Sequence, residues 1–115
     1  MNARSKGLQT VRRVKHYLEA NSYVVEGPGY AVAFFQGSMK PIHRDYFGVF
    51  DLLSASKTDV IRGHQICSIK NKARNQAKMQ KAGISGYLWC KGGGPQCDKY
   101  WVGQDEVEFV ETVKI

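Results

Sequence analysis

The sequence predicts an α/β fold, a single domain over residues 1–115 with a central mixed β-sheet flanked by helices. The length, 115 residues, is that of one ordinary domain. Helical periodicity occurs in two separated basic segments, and short β-prone runs fill the space between and after them. The resulting order of one helix, four strands, a second helix and two strands points to helices packed on a sheet.

The elements follow from local pattern. Residues 5–21 read as an amphipathic helix: Leu8, Val11, Val14, Tyr17 and Leu18 recur at three- and four-residue spacing, while Arg12, Arg13 and Lys15 fall on other faces. Asn21-Ser22 ends it. A short strand over 23–25 is stopped by Gly27-Pro28-Gly29, and 30–35 is a second β-prone run. Residues 36–43, with Gly37 and Pro41, read as a loop. Residues 46–53 are apolar apart from Gly48 and Asp51, the pattern of a buried strand carrying one acid. A polar turn over 55–63 precedes a strand over 65–70. Residues 71–81 form a basic helix that stops near Gly83, 85–90 is strand-like, and 99–102 is a short last strand. The acidic stretch 105–110 suits either a strand or a helical turn. Gly92-Gly93-Gly94 lacks the spacing of a phosphate-binding loop and precedes no helical pattern, so a hairpin turn is the reading there.

Charge narrows the function. Seventeen Lys and Arg against ten Asp and Glu give a formal +7, a balance that favours a polyanionic partner through phosphate contact and counterion release. The competing reading is a basic protein with no nucleic-acid role. The sign is segregated, because cations dominate up to Lys81 while Asp105, Glu106, Glu108 and Glu111 cluster near the end. No apolar run approaches the ~20 residues of a bilayer span, and the basic first residues lack the apolar stretch of a signal peptide. A cytoplasmic protein without membrane association is expected. Cys67, Cys90 and Cys97 form no CxxC pair and have no histidine at zinc-finger spacing, so they read as reduced thiols.

The stretch that carries chemistry is His43-Arg44-Asp45-Tyr46-Phe47-Gly48-Val49-Phe50-Asp51-Leu52-Leu53, followed by Gln65-Ile66-Cys67-Ser68-Ile69-Lys70. A carboxylate inside an apolar strand is costly unless something pairs with it. Metal binding is one answer and a buried hydrogen-bonding network is the other. Alternation puts Ile66, Ser68 and Lys70 on one face of the second strand. If the two strands are neighbours, Asp51 and Lys70 converge at one sheet edge. A carboxylate there can hold Mg²⁺ or Mn²⁺ against a phosphate oxygen, with the lysine stabilising transition-state charge.

At these residues the chain resembles the PD-(D/E)XK nuclease superfamily, and among it the small Holliday junction resolvase-like proteins of phage and archaeal type. Asp-Leu-Leu, a hairpin, then a strand ending in x-x-Lys is the core of the likeness. Ser5-Lys6-Gly7, Tyr17-Leu18-Glu19-Ala20, the run from Arg44 to Asp51, and strands containing Trp89 and Trp101 extend it over nearly the whole chain. The resemblance implies a restriction endonuclease-like fold, a homodimer, and metal-dependent hydrolysis of branched or structured DNA. Carried over residue by residue, Asp51 takes the metal-ligand position and Lys70 the catalytic lysine. Ser68 stands where the family has an acid. The chain also lacks the acid many members carry on the first helix, where Gln9, Thr10 and Val11 stand. Asp45 or Glu26 would have to supply a second metal carboxylate.

Each residue has a plainer reading. Asp51 can be a structural acid pairing with Lys70 or Arg44, Lys70 a solvated strand end, Ser68 a small polar filler and Asp45 a capping acid. His16, His43 and His64 read as surface residues, with His43 the one candidate for a site base. Arg74, Lys78 and Lys81 share one helix face, with Lys72 alongside and no acid on the helix to pair with them. Together with Lys6 and Arg44 they are the expected phosphate contacts. Trp89 and Trp101 read as core, and Tyr30, Phe34 and Phe35 as candidates for a dimer interface. The alternative to an endonuclease is a catalytically inactive nucleic-acid-binding module on the same fold; a basic protein–protein adaptor is a third reading.

Overall fold

A computed structural model describes residues 3–115, with side chains described outside 3–6, 30–35 and 40–43. The chain is an α/β fold built on a mixed sheet of six strands. Helix α1 spans Ala3–Ala20, β1 Val24–Glu26, β2 Tyr30–Phe35, β3 Ser38–His43, β4 Leu52–Ala55 and β5 Arg62–Ser68. A 3-10 turn over Ile69–Asn71 leads into α2 (Lys72–Ala82), followed by β6 (Gly86–Lys91), β7 (Gln96–Val102) and β8 (Val107–Lys114). The sheet order is β1-β4-β5-β6-β7-β8, and β2 pairs with β3 as a separate hairpin. β5 and β6 run parallel, connected through α2; the other neighbours in the six-stranded sheet are antiparallel. Among the described residues no helix is long and apolar enough to cross a membrane.

The two helices cover opposite faces of this sheet. On one side Val11, Val14 and Leu18 of α1 pack against Leu52, Ile66, Trp89, Cys97 and Val113. On the other, Met79 of α2 packs with Val49, Phe50, Leu88, Cys90 and Val102. Residues along β5 therefore alternate strictly: His64 and Ile66 face α1, while Gln65 and Cys67 face α2. Helix α2 ends where Gly83 takes a left-handed conformation (φ 73°) and its N–H reaches back to Gln80 and Met79, a termination that a residue with a Cβ disfavours.

Two segments differ from the sequence expectation. Residues 36–43 are not a loop: Gln36 and Gly37, both at positive φ, turn the chain tightly and Ser38–His43 returns as β3. Residues 46–53 do not form one strand, because Phe47 and Gly48 take positive φ (55° and 70°) and Tyr46 exchanges backbone hydrogen bonds with Phe50. Successive left-handed residues cannot continue a strand. The tight loop instead turns Val49 and Phe50 into the core and delivers Asp51 to the start of β4. The Phe50 ring lies flat against Gly63 and Gly86 on neighbouring strands, and a Cβ at Gly86 would come within 2.6 Å of it. Of the two readings left open for the acidic stretch, strand is the one formed: β8 extends eight residues to Lys114.

His64 is the largest departure in burial. Predicted at the surface, it is 1% exposed and bridges three strands. The Trp89 indole N–H on β6 donates to His64 Nδ1 at 3.0 Å. Nδ1 is thereby an acceptor, so Nε2 carries the proton and donates to Ser54 Oγ on β4 at 2.6 Å. The ring also stacks on Tyr87, with centroids 5.5 Å apart. Burial, reinforced by the nearby Lys99 charge, lowers its pKa from 6.5 to about 3.

This lowered pKa fixes a sign for stability. Between about 6.5 and about 3 the unfolded chain binds a proton at His64 and the folded chain does not, so this contribution is present at neutral pH and is lost as pH falls through that window. The expected slope is up to about 1.4 kcal/mol per pH unit. Urea unfolding of wild type and His64→Gln across the window checks it: the stability advantage of wild type is expected to shrink as pH falls. A constant difference would show that His64 does not titrate in this way.

Candidate nucleic-acid interface and the Asp51 site

Asp51 is 7% exposed and sits one residue before β4. Leu52 pairs with His64, so the antiparallel register brings Asp51 beside Gln65. Its backbone N–H donates to the His64 carbonyl at 2.8 Å, and its carboxylate Oδ2 accepts the Ile66 backbone N–H at 2.9 Å. The two bonds bracket Gln65. Gly27 makes the approach possible, since a Cβ there would lie 2.6 Å from the Asp51 carbonyl oxygen and φ is +113°.

The neighbours of Asp51 on β5 are therefore Gln65 and Cys67 rather than Ser68 and Lys70. Gln65 is buried; its Nε2 donates to Asn75 Oδ1 on α2 at 3.1 Å, while its Oε1 is buried with no hydrogen-bond partner among the described residues. Asn75 in turn donates to the Asn71 carbonyl at 2.9 Å. Cys67 packs toward α2, close enough to feel the charges of both Asp51 and Arg74. β4 and β5 are adjacent, as expected, but β5 stops at Ser68. The Ser68 hydroxyl accepts from Asn71 Nδ2 at 3.1 Å and so braces the turn into α2. Lys70 lies in that 3-10 turn, exposed, and not on the strand. An acid-x-lysine pattern in register with Asp51 would fall on Gln65-Ile66-Cys67. Counting period two from Gln65, the residue in register with Asp51, finds this face, but only once the end of β5 is known.

Asp45 approaches Lys78 on α2, its carboxylate 3.6 Å from the ammonium. Thus α2, which has no acid of its own, meets one from outside its sequence. Arg74, Lys78 and Lys81 are exposed on α2, Lys72 is half-buried with its ammonium 4.4 Å from the Tyr100 ring centroid, and Arg44 is exposed. The side chains of Lys6, His43, Tyr30, Phe34 and Phe35 lie outside the described residues. Trp89 is fully buried and Trp101 half-buried. Around them Lys99 lies 4.3 Å from the Tyr87 ring centroid and 5.0 Å from that of Trp89, and Arg62 lies 5.3 Å from that of Trp101. Burial lowers the Lys99 pKa, against the opposing pull of Glu111 and Asp59.

The donor set around Asp51 fits a resident Mg²⁺ poorly. Such ions draw on one or two carboxylates, with phosphates and water completing the shell. Here one carboxylate oxygen is on the Ile66 amide, the flanking groups on β5 are an amide and a thiol, and Asp45 is directed to Lys78. Among the described residues no group of three or more His, Cys, Asp and Glu is placed to hold a metal. Comparison with family models, curated proteins and solved structures returns no match for this chain.

The bond from Asp51 to Ile66 makes a structural prediction. Asp51→Ala leaves a buried N–H unsatisfied and is expected to cost about 1–3 kcal/mol of stability. Asp51→Asn keeps an acceptor oxygen and is expected to cost markedly less. Denaturant unfolding of both variants checks this; equal losses would mean that the charge, not the hydrogen bond, is what β5 requires.

Proposed function

We propose that this chain is a cytoplasmic nucleic-acid-binding module for branched or structured DNA, acting as a homodimer and engaging phosphates through α2 and its approaches. The observation that carries this reading is the charge of α2. It holds Lys72, Arg74, Lys78 and Lys81, with no acid in its first turn, and Lys70 precedes it in the adjoining turn. Cations at a helix N-terminus oppose the helix dipole, so Lys70, Lys72 and Arg74 carry a local electrostatic cost that an anionic partner would relieve. The exposed tips of Arg74, Lys78 and Lys81 suit contacts to a sugar-phosphate backbone, and Arg44 is exposed in the segment that meets α2 through Asp45.

A second reading is metal-dependent endonuclease activity with Mg²⁺ or Mn²⁺. The observation favouring it is the buried Gln65 Oε1, without a partner among the described residues, on the residue in register with Asp51; amide and carboxylate oxygens are the kind a hard cation accepts. The thiol of Cys67 where the register calls for lysine, and the distance along the chain from Asp51's neighbours to Lys70 and Ser68, weigh against it.

Binding to four-way junction and linear duplex, measured against salt concentration, tests the first reading. Replacing Arg74, Lys78 and Lys81 together by Gln is expected to weaken binding and reduce the log–log salt slope by up to about 2.7, about 0.9 for each phosphate no longer neutralised. An unchanged slope would remove α2 as the contact surface. Incubation of junction, flap and duplex with each metal tests the second. The expected result is binding without cleavage in wild type. Cleavage that Asp51→Asn abolishes would replace the first reading with the second.

A further inference from the structure

Cys67 and Cys90 are register partners on the parallel strands β5 and β6, both directed to the α2 face, with their sulfurs 3.8 Å apart. Neighbouring strands lie about 4.7–4.9 Å apart, inside the range of Cα separations that a disulfide spans. The sulfurs therefore need to close to about 2.05 Å by side-chain rotation, with no strand displaced. Cys90 is buried in the sheet, whereas Cys67 is half-buried beside Arg74. Cys90 also lines a cavity of about 190 Å³ formed with Ile69, Asp98 and the Gly92–Gly94 turn. Cys97 is a contrast within the same molecule: it is buried in the opposite core, against α1.

We propose that Cys67 and Cys90 are a site of reversible oxidation, a dithiol that hydroperoxides convert to an intramolecular disulfide. The Cys67 thiolate attacks one peroxide oxygen; the O–O bond breaks, hydroxide leaves and takes up a proton as water, and Cys67 becomes a sulfenic acid. The Cys90 thiol then attacks the Cys67 sulfur, the S–S bond forms, the S–OH bond breaks, and a second water departs with the Cys90 proton. One peroxide is reduced by two electrons and the two thiols are oxidised by two. Roles divide by environment. Cys67 is half-buried and so is the thiol an oxidant meets first, whereas Cys90 is buried in the sheet and positioned to attack the Cys67 sulfur once it has reacted. Burial raises Cys97 to about 11, which leaves it inert. The site does not depend on the nucleic-acid reading.

The test uses the whole chain treated with hydrogen peroxide, with intact mass, peptide mapping and non-reducing electrophoresis. The expected result is a monomer lighter by two hydrogens, a Cys67–Cys90 cross-link, a free Cys97, and full recovery with a dithiol reductant. Cys90→Ser is expected to stop at a Cys67 sulfenic acid that dimedone traps. Cys97→Ser is expected to behave as wild type, and Cys67→Ser to slow oxidation by about tenfold or more. Thiols that stay reduced, a cross-link through Cys97, or Cys90→Ser protein with no trapped sulfenic acid would each overturn the proposal. Because wild type alone yields the cross-link or fails to, the result stands even if a variant folds poorly.

Discussion

A buried imidazole that must stay neutral holds the centre of this sheet together. His64 offers one ring nitrogen to the Trp89 indole on β6 and the other to the Ser54 hydroxyl on β4, so the side chain reads strand position on both sides at once. A one-residue slip of β5 would turn His64 toward α2 and send Gln65 into the apolar layer beneath α1. Both hydrogen bonds would then break in a region without water to replace them. The Phe50 ring reinforces the same register, because its flat seat on Gly63 and Gly86 exists only where two residues without side chains stand abreast. The placement of Gln65 and Cys67 near Asp51 is thus a consequence of packing on the opposite face.

That dependence explains which parts were legible in the sequence. Helix α1, with its run from Val11 to Leu18, and α2 with Gly83 behind it follow from periodicity and capping alone, and the mixed sheet with helices on both faces follows from their order. The tight loop at Phe47 and Gly48 was hidden because its residues are apolar; the run looks like a strand until the backbone is seen to reverse. His64 was misplaced because a histidine in a polar stretch carries no mark of burial, and its partners Ser54 and Trp89 are distant in sequence. Ser68 and Lys70 drew notice through a lysine at a familiar spacing, but β5 ends before that lysine and an inconspicuous glutamine and cysteine occupy the neighbouring positions. The charge of α2 was legible in full, while its contact with Asp45 depended on a turn that the sequence does not announce.

The cations are not equivalent. Lys99, Arg62 and Lys72 lie over aromatic rings, and Lys15 reaches the Gly27 carbonyl at 2.8 Å. These side chains use their long apolar stems to cover the sheet and its margins. Formal charge therefore overstates what an incoming polyanion meets, and the exposed positions on α2 carry a larger share of the field than their number implies. The acids of β8 work in the same direction. Glu111 stands opposite Lys99 in the ladder and accepts from Tyr17 at 3.4 Å, keeping negative charge on the α1 side and away from α2.

The β2–β3 hairpin leaves and rejoins the chain at a single point, where the Arg44 N–H donates to the Gly29 carbonyl at 2.9 Å. It pairs with itself, outside the six-stranded sheet. Chain entry and exit so close together make the hairpin an interchangeable part: shortening it, lengthening it or grafting another in its place leaves every ladder of the main sheet in register. Loop-closure entropy changes slowly with length, so such exchanges are thermodynamically cheap. A lineage carrying this scaffold is free to vary an arm beside the Asp51 loop while its core sequence stays still.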